Sequence, residues 1–148
     1  MVITKLTASK RVPGRFYVDF DDGATLRVPE LVVSEYALYP ERELDAAEYE
    51  SVRAESETGL ARQRALRVLG SRVMSRGEME ARLIKLGETE ETAAETAEWL
   101  SDIGLIDDLE YARAIARGYS RRGYGSRRVR DELYKRRIPR GMWDEALA

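Results

Sequence analysis

The sequence predicts a mainly α-helical chain of tandem three-helix, helix-turn-helix-like repeats preceded by a small antiparallel β domain. Three observations carry that prediction. The β-forming residues cluster before Pro40, helix-capping signals and apolar stripes of helical period follow it, and the apolar pattern repeats at a shift of 50 residues.

In chain order, Val2 to Lys10 reads as a first strand, turning through Pro13-Gly14. Tyr17-Val-Asp-Phe20 and Leu26-Arg-Val28 flank Asp22-Gly23, a hairpin-turn pair. A sheet of about three strands is marginal alone and needs a helix on one face. The run Glu30 to Leu38 is expected to supply it. Asp45 and Glu48 have capping-box spacing and start the next helix, which Gly59 is expected to interrupt before Leu60 resumes the pattern. Ser75-Arg-Gly-Glu78 opens another helix with Met79, Leu83 and Leu86 on one face, closed by Gly87. Thr89 caps a helix bearing Ala93, Ala97, Leu100 and Ile103, ended by Gly104. The order then recurs: a helix from Asp107 or Asp108 carries Tyr111, Ile115 and Tyr119, Ser126 caps one bearing Val129 and Leu133, and Pro139 precedes a third near Met142 and Trp143. The expected organisation is residues 1–58 as a β-rich domain with a helical linker, 59–106 as a first repeat and 107–148 as a second.

Composition narrows the chemistry. With 43% hydrophobic and 35% charged residues and only two Phe, long charged helices with thin apolar stripes fit better than a large buried sheet. There is no Cys and no His, so thiolate chemistry and His-based nucleophilic triads are excluded. No apolar run approaches the roughly 20 residues that span a bilayer, and the start lacks the apolar core of a signal peptide. A cytoplasmic chain with no membrane partner is expected, without a metal or cofactor.

The net charge of -2 conceals two opposed blocks. Glu88 to Glu110 holds nine acids and no base, whereas Arg113 to Arg140 holds eleven bases and only Asp131 and Glu132 as acids. Such a basic block, interleaved with Tyr111, Tyr119, Tyr124 and Tyr134, is a footprint for a polyanion or an acidic partner. Its centre is Arg117, Arg121, Arg122, Arg127, Arg128 and Arg130, with Gly123 and Gly125 freeing the backbone at a helix–helix turn. Cations in the first turn of a helix oppose its dipole by roughly 0.3–1 kcal/mol each, so their placement suits an incoming anion. Tyr124 is placed to stack on a base or an Arg plane, while Tyr111 and Tyr119 share the apolar face with Ile115 and read as core. Trp99 and Trp143 read as packing residues. Asp107, Asp108 and Glu110 suit helix capping better than a metal site, and Asp19, Asp21 and Asp22 suit turn chemistry. No phosphate-binding loop and no catalytic constellation is present.

Two runs point to a family. Arg64-Ala-Leu-Arg-Val-Leu69 with Arg72-Val-Met-Ser75-Arg-Gly-Glu78-Met79 resembles the first repeat of RecX regulatory proteins. Gly104-Leu-Ile-Asp-Asp108-Leu-Glu-Tyr111-Ala112, followed by Arg121 to Arg130 and Glu132-Leu133, resembles the second, over about residues 61–148 in all. The resemblance implies a non-enzymatic modulator of the RecA recombinase in DNA repair and recombination. It would lodge in the groove of the RecA–single-strand DNA filament as a monomer, inhibit strand exchange and ATP hydrolysis, and touch single-stranded DNA. Carried onto this chain, Arg117, Arg121, Arg122, Arg127, Arg128 and Arg130 would be the main contacts, joined by Tyr124, Lys135 and Arg136. Arg72 and Arg76 would serve at the first repeat's equivalent turn. Family members usually carry a third helical repeat, which this chain is expected to lack, and Ser126 stands where proline is common. The other readings are a helix-turn-helix DNA-binding protein, disfavoured because Arg127–Arg137 has no Asn or Gln for base readout, and an adaptor with acidic and basic faces.

Overall fold

The computed structural model describes residues 1–148. Alternating apolar residues build a three-stranded antiparallel meander, β1 (Ile3–Ala8), β2 (Arg15–Phe20) and β3 (Thr25–Pro29), in the order β1-β2-β3. The pleat sends Ile3, Val18, Phe20 and Val28 to one face, where all four are buried. Gly23, at φ +89°, makes the hairpin turn, and the Asp22 carboxylate accepts the Ala24 N–H at 2.9 Å. Helix α1 (Glu30–Glu35) and the start of α2 (Ala46–Leu69) cover that face. Val32, Leu38, Leu44 and Val52 complete the core, and Phe20 meets Tyr49 edge to face at 5.4 Å. The α1 helix is shorter than the run 30–38, because Ala37 takes a left-handed conformation (φ 49°) and the Ala37 and Leu38 N–H groups close the helix onto Ser34 and Val33.

The Asp45–Glu48 capping box forms as expected, with Glu48 N–H donating to the Asp45 carboxylate at 2.7 Å and the Glu48 carboxylate accepting Asp45 N–H at 3.2 Å. Gly59, however, does not break α2. A Cβ there would lie 2.8 Å from Pro29 Cγ, so the glycine serves close approach between helix and strand end rather than helix termination.

By compactness the chain divides within α2 into Met1–Gln63 and Arg64–Ala148. The second unit holds two apolar clusters. The end of α2, with α3 (Arg76–Lys85) and α4 (Glu90–Asp102), encloses Ala65, Met74, Met79, Leu83, Ala93, Ala97, Leu100 and Ile106. Helices α5 (Asp108–Arg121) and α6 (Ser126–Lys135), with a 3-10 turn over Arg140–Met142 running into α7 (Trp143–Leu147), enclose Ala112, Ala116, Val129, Leu133, Ile138, Trp143 and Ala146. Helices α3 and α6 start and end fifty positions apart, so the sequence periodicity is a structural one. Three helices end in the same 6→1 turn around a left-handed glycine, Gly87, Gly104 and Gly123. No helix is long and apolar enough to cross a membrane.

Alanine at a mid-helix glycine ordinarily stabilises by about 0.5–1 kcal/mol. Gly118→Ala in α5, where a Cβ meets nothing within 4 Å, is expected to follow that rule. Gly59→Ala is expected to reverse it, destabilising by about 1–3 kcal/mol through overlap with Pro29. Denaturant melts of the two variants check the pair.

Candidate functional site

The basic block folds into the edge formed by the end of α5, the turn 122–125 and α6. The turn is set by Gly123 (φ +86°): its N–H donates to the Ser120 carbonyl and the Tyr124 N–H to the Tyr119 carbonyl. That closure turns Tyr124 back onto Tyr119, with ring centroids 5.5 Å apart. The Arg122 guanidinium lies 4.9 Å from the Tyr119 ring and that of Arg128 lies 5.1 Å from the Tyr124 ring. The result is a ladder, Arg122–Tyr119–Tyr124–Arg128, held by ring contacts that leave both guanidinium edges free for an anion.

Ser126 is not the cap of α6. Gly125 occupies the cap position in extended conformation with no side-chain hydrogen bond, and Ser126 is the first helical residue. The 6→1 turn uses up Arg122 to Tyr124, so the chain re-enters a helix one residue earlier than the Ser signal suggests. The first turn of α6 therefore has no side-chain cap and no acid, and it carries Arg127 and Arg128. Fifty positions earlier the same helix start is built the opposite way. Ser75 accepts the Glu78 N–H at 3.0 Å, and the Glu78 carboxylate accepts the Ser75 N–H at 3.1 Å. Gly125 and Arg128 replace that serine and that acid, a difference readable from the 50-residue shift once it is applied to polar positions too.

The expected site residues separate into two groups. Arg121, Arg122, Arg127, Arg128 and Lys135 are exposed, and none has a carboxylate within ion-pair distance. Tyr124 is 43% exposed. The others are engaged within the protein: Arg117 with Glu110 at 3.3 Å, Arg130 with Asp144 at 2.9 Å, Arg72 with Glu78 at 3.4 Å, and Arg76 with Glu80 at 3.6 Å and Glu98 at 3.9 Å. At such exposure these pairs contribute about 0–1 kcal/mol, little enough for a strong anion to displace. Arg136 is different. Its guanidinium donates to Glu132 at 2.8 Å and to the Tyr111 phenol at 2.7 Å, and it holds the Glu132 carboxyl below the ordinary carboxylate range. Arg136 thus fixes α6 against α5.

Beside this edge, a shallow groove of about 520 Å³ is lined by the bases Arg128, Arg130, Lys135 and Arg140, the acids Asp131 and Glu132, and the rings of Tyr134 and Trp143. Trp143 is buried and donates its indole N–H to the Ile138 carbonyl at 3.0 Å, while Arg140 lies 5.3 Å from its ring. The groove arises because α7 folds back beside α6, which linear spacing does not encode.

A clasp sets the orientation of the edge. Ser75 Oγ donates to the Arg136 carbonyl at the end of α6, and the Arg76 N–H donates to the Asp108 carboxylate at 2.8 Å. Gly77 lies so close to the same turn that a Cβ there would be 2.7 Å from Arg137 Cβ. Asp107 caps its own helix through the Glu110 N–H at 3.1 Å, so the two adjacent acids cap two different helices. Burial pushes the Asp108 carboxyl above its ordinary range, against the pull of the Arg76 amide. A folded-state value above the unfolded one means that the folded chain holds this proton more tightly. The resulting stability is present below the ordinary carboxylate range and is lost as pH rises through the raised value. Asp108→Asn, which keeps an acceptor without the buried charge, is expected to flatten that decline. Asp108→Ala is expected to cost about 1–2 kcal/mol by orphaning the Arg76 amide. Urea melts across pH 3.5–7 distinguish the two variants.

This architecture has counterparts among known proteins. The family model described as RecX, second three-helix domain, matches residues 107–147. The chain is 38% identical over 91 residues to a regulatory protein RecX of Mycolicibacterium vanbaalenii, covering 60% of this chain and 48% of that protein. It is 31% identical over 147 residues to one of Levilactobacillus brevis, covering 99% of this chain and 55% of that protein. It thus spans about half the length of these curated relatives. A crystal structure of a regulatory protein RecX superposes with a TM-score of 0.75 at 25% identity, covering 99% of this chain and 72% of that one. RecX from Lactobacillus salivarius superposes with a TM-score of 0.57 at 26% identity, covering 62% and 60%. Sequence, repeat order and three-dimensional arrangement agree: the chain belongs to the RecX family of regulatory proteins.

Proposed function

We propose that this chain is a non-enzymatic, monomeric cytoplasmic regulator that binds the RecA–single-strand DNA filament and restrains recombinase activity through the α5–α6 edge. The observation that carries the reading is the selective absence of carboxylates around Arg121, Arg122, Arg127 and Arg128, next to a helix start with no cap. In the same unit, Arg113, Arg117, Arg130 and Arg136 all find acidic partners. Cations left unpaired beside a positive helix end repel one another and the dipole, an arrangement relieved when an anionic surface arrives. The DNA of such a filament presents phosphate, and the ladder of Tyr119 and Tyr124 holds the Arg122 and Arg128 guanidinium groups in position to meet it. The naming of the curated relatives as regulatory proteins supports a regulatory rather than catalytic role.

Contact through these residues would be to phosphates and acidic side chains rather than to base edges, since α6 carries no Asn or Gln. Ion-paired Arg117 and Arg130 flank the free cations and would exchange an intramolecular carboxylate for an anion of the filament. Arg72 and Arg76 have internal partners and would contribute less.

The test is RecA ATP hydrolysis on single-stranded DNA, titrated with the chain at a small fraction of the RecA concentration. Inhibition is expected at such ratios. The combined variant Arg121→Glu, Arg122→Glu, Arg127→Glu and Arg128→Glu is expected to raise the half-inhibitory concentration at least about tenfold, given the steep charge dependence of polyanion binding. Its helical CD spectrum should be unchanged, because none of the four side chains forms an internal ion pair. Inhibition that survives the reversal would place the contact elsewhere.

A further inference from the structure

The N-terminal sheet has a second face that the α5–α6 reading does not use. Strand alternation gives the helix-covered face Ile3, Leu6, Val18, Phe20, Leu26 and Val28. On the opposite face, the register sets Thr7, Tyr17 and Arg27 side by side in one row and Lys5, Asp19 and Thr25 in the next. Arg15 follows on the same face, two positions before Tyr17 along β2. Tyr17 is thus ringed by three cations, one on each strand.

Those cations are uncommitted. Lys5, Arg15 and Arg27 form no ion pair, and the buried Arg15 Nε has no hydrogen-bond partner at all. The one acid on the face is occupied, because the Asp19 carboxylate accepts the Thr25 hydroxyl at 2.7 Å. The β1–β2 turn adds exposed Lys10 and Arg11 at one end of the sheet. At the other end, Asp21 and Asp22 accept the Val2 and Ala24 N–H groups. The Tyr17 ring joins no aromatic or cation–π contact, unlike Tyr119 and Tyr124.

We propose that this outer sheet face is a second binding surface, one for a short segment of single-stranded nucleic acid. A base stacks on Tyr17 while flanking phosphates meet Lys5, Arg15 and Arg27. The chemistry separates this ligand from its competitors. An acidic peptide would satisfy the cations but leave the Tyr17 ring without a partner. A duplex keeps its base faces inside the stack and offers none to a half-buried ring on the sheet surface. A single strand supplies both a π-face and phosphates, and strands spaced about 4.7–4.9 Å apart place the cations within a nucleotide's reach of the ring. The surface lies wholly within Met1–Gln63 and does not depend on the filament reading.

The experiment uses the full chain carrying the four α5–α6 charge reversals described above, so that the other basic edge is silenced. Binding of a fluorescent oligodeoxythymidine of about 15 nucleotides is followed by anisotropy at low salt. Binding is expected to persist in this background. Adding Lys5→Glu and Arg27→Glu should weaken it at least about tenfold, and should flatten the dependence of log K on log salt by about 1.4, two single-strand phosphate contacts' worth. Tyr17→Leu, which keeps apolar bulk, should weaken it several-fold with an unchanged CD spectrum. Photocrosslinking with a bromodeoxyuridine-substituted strand should yield an adduct at Tyr17. The proposal is overturned if the background chain does not bind, if Lys5 and Arg27 reversal leaves affinity unchanged, or if the crosslink maps off the sheet. Equal competition by polyglutamate overturns it in favour of an acidic protein partner, and equal affinity for duplex reduces the face to unspecific charge.

Discussion

The second unit depends on one short segment, Ser75-Arg76-Gly77. Three adjacent backbone positions there serve three purposes, and each constrains the others. Ser75 accepts an amide to start α3 and donates its own proton to the Arg136 carbonyl. The next amide, that of Arg76, is the one Asp108 caps. Gly77 leaves the space that the Arg137 turn fills, and Arg137 itself sits at φ 58°, a conformation that side chains other than glycine seldom take. Polar bonds of this kind contribute about 0.5–1.5 kcal/mol each, but orphaning a buried member costs more, so the group is retained or lost together. Arg136 is tied in turn to Glu132 and Tyr111, so the clasp also determines how α6 is presented.

From that common scaffold the two repeats diverge in chemistry. Helices α3 and α6 occupy equivalent places, yet one begins with a reciprocal Ser–Glu box and the other with bare amides beside Arg127 and Arg128. The α3 start is consumed by packing. An equivalent packing at α6 would have to find room for Arg127, where α3 has glycine. Stability is thus concentrated in one repeat's helix start, and unsatisfied charge in the other's. The opposed charge blocks resolve along the same line. Acids from the first block are taken up by bases of the protein itself, Glu88 by Arg64, Glu98 by Arg76 and Glu110 by Arg117, whereas Arg121, Arg122, Arg127 and Arg128 at the α5–α6 turn meet no carboxylate.

Much of this was legible in the sequence, because local rules govern it. Apolar alternation, Asp22-Gly23, the Asp45 and Ser75 boxes, Thr89, Asp107, and glycines 87, 104 and 123 each act within about six residues, and each appears where its local chemistry places it. The 50-residue period and the basic turn are likewise linear features. Where local reading failed, a distant group had intervened. Gly59 looked like a helix break, but its role is fixed by Pro29 thirty residues away, and Ser126 looked like a cap until the Gly123 turn displaced the helix start.

The amino-acid sequence by itself determined the β-then-helical order, the repeat, and the region that would carry the charge. Only the tertiary structure decided which charges are free. Arg121 and Arg130 are indistinguishable in a count of bases, yet Arg130 faces Asp144 on a helix that folds back beside it, while no acid reaches Arg121. Asp107 and Asp108 are neighbours in sequence, yet they cap helices of different repeats. Hydrogen bonds act only within a few ångströms and Coulomb attraction is screened beyond roughly 10 Å in salt water, and both distances are set by how the helices return on one another.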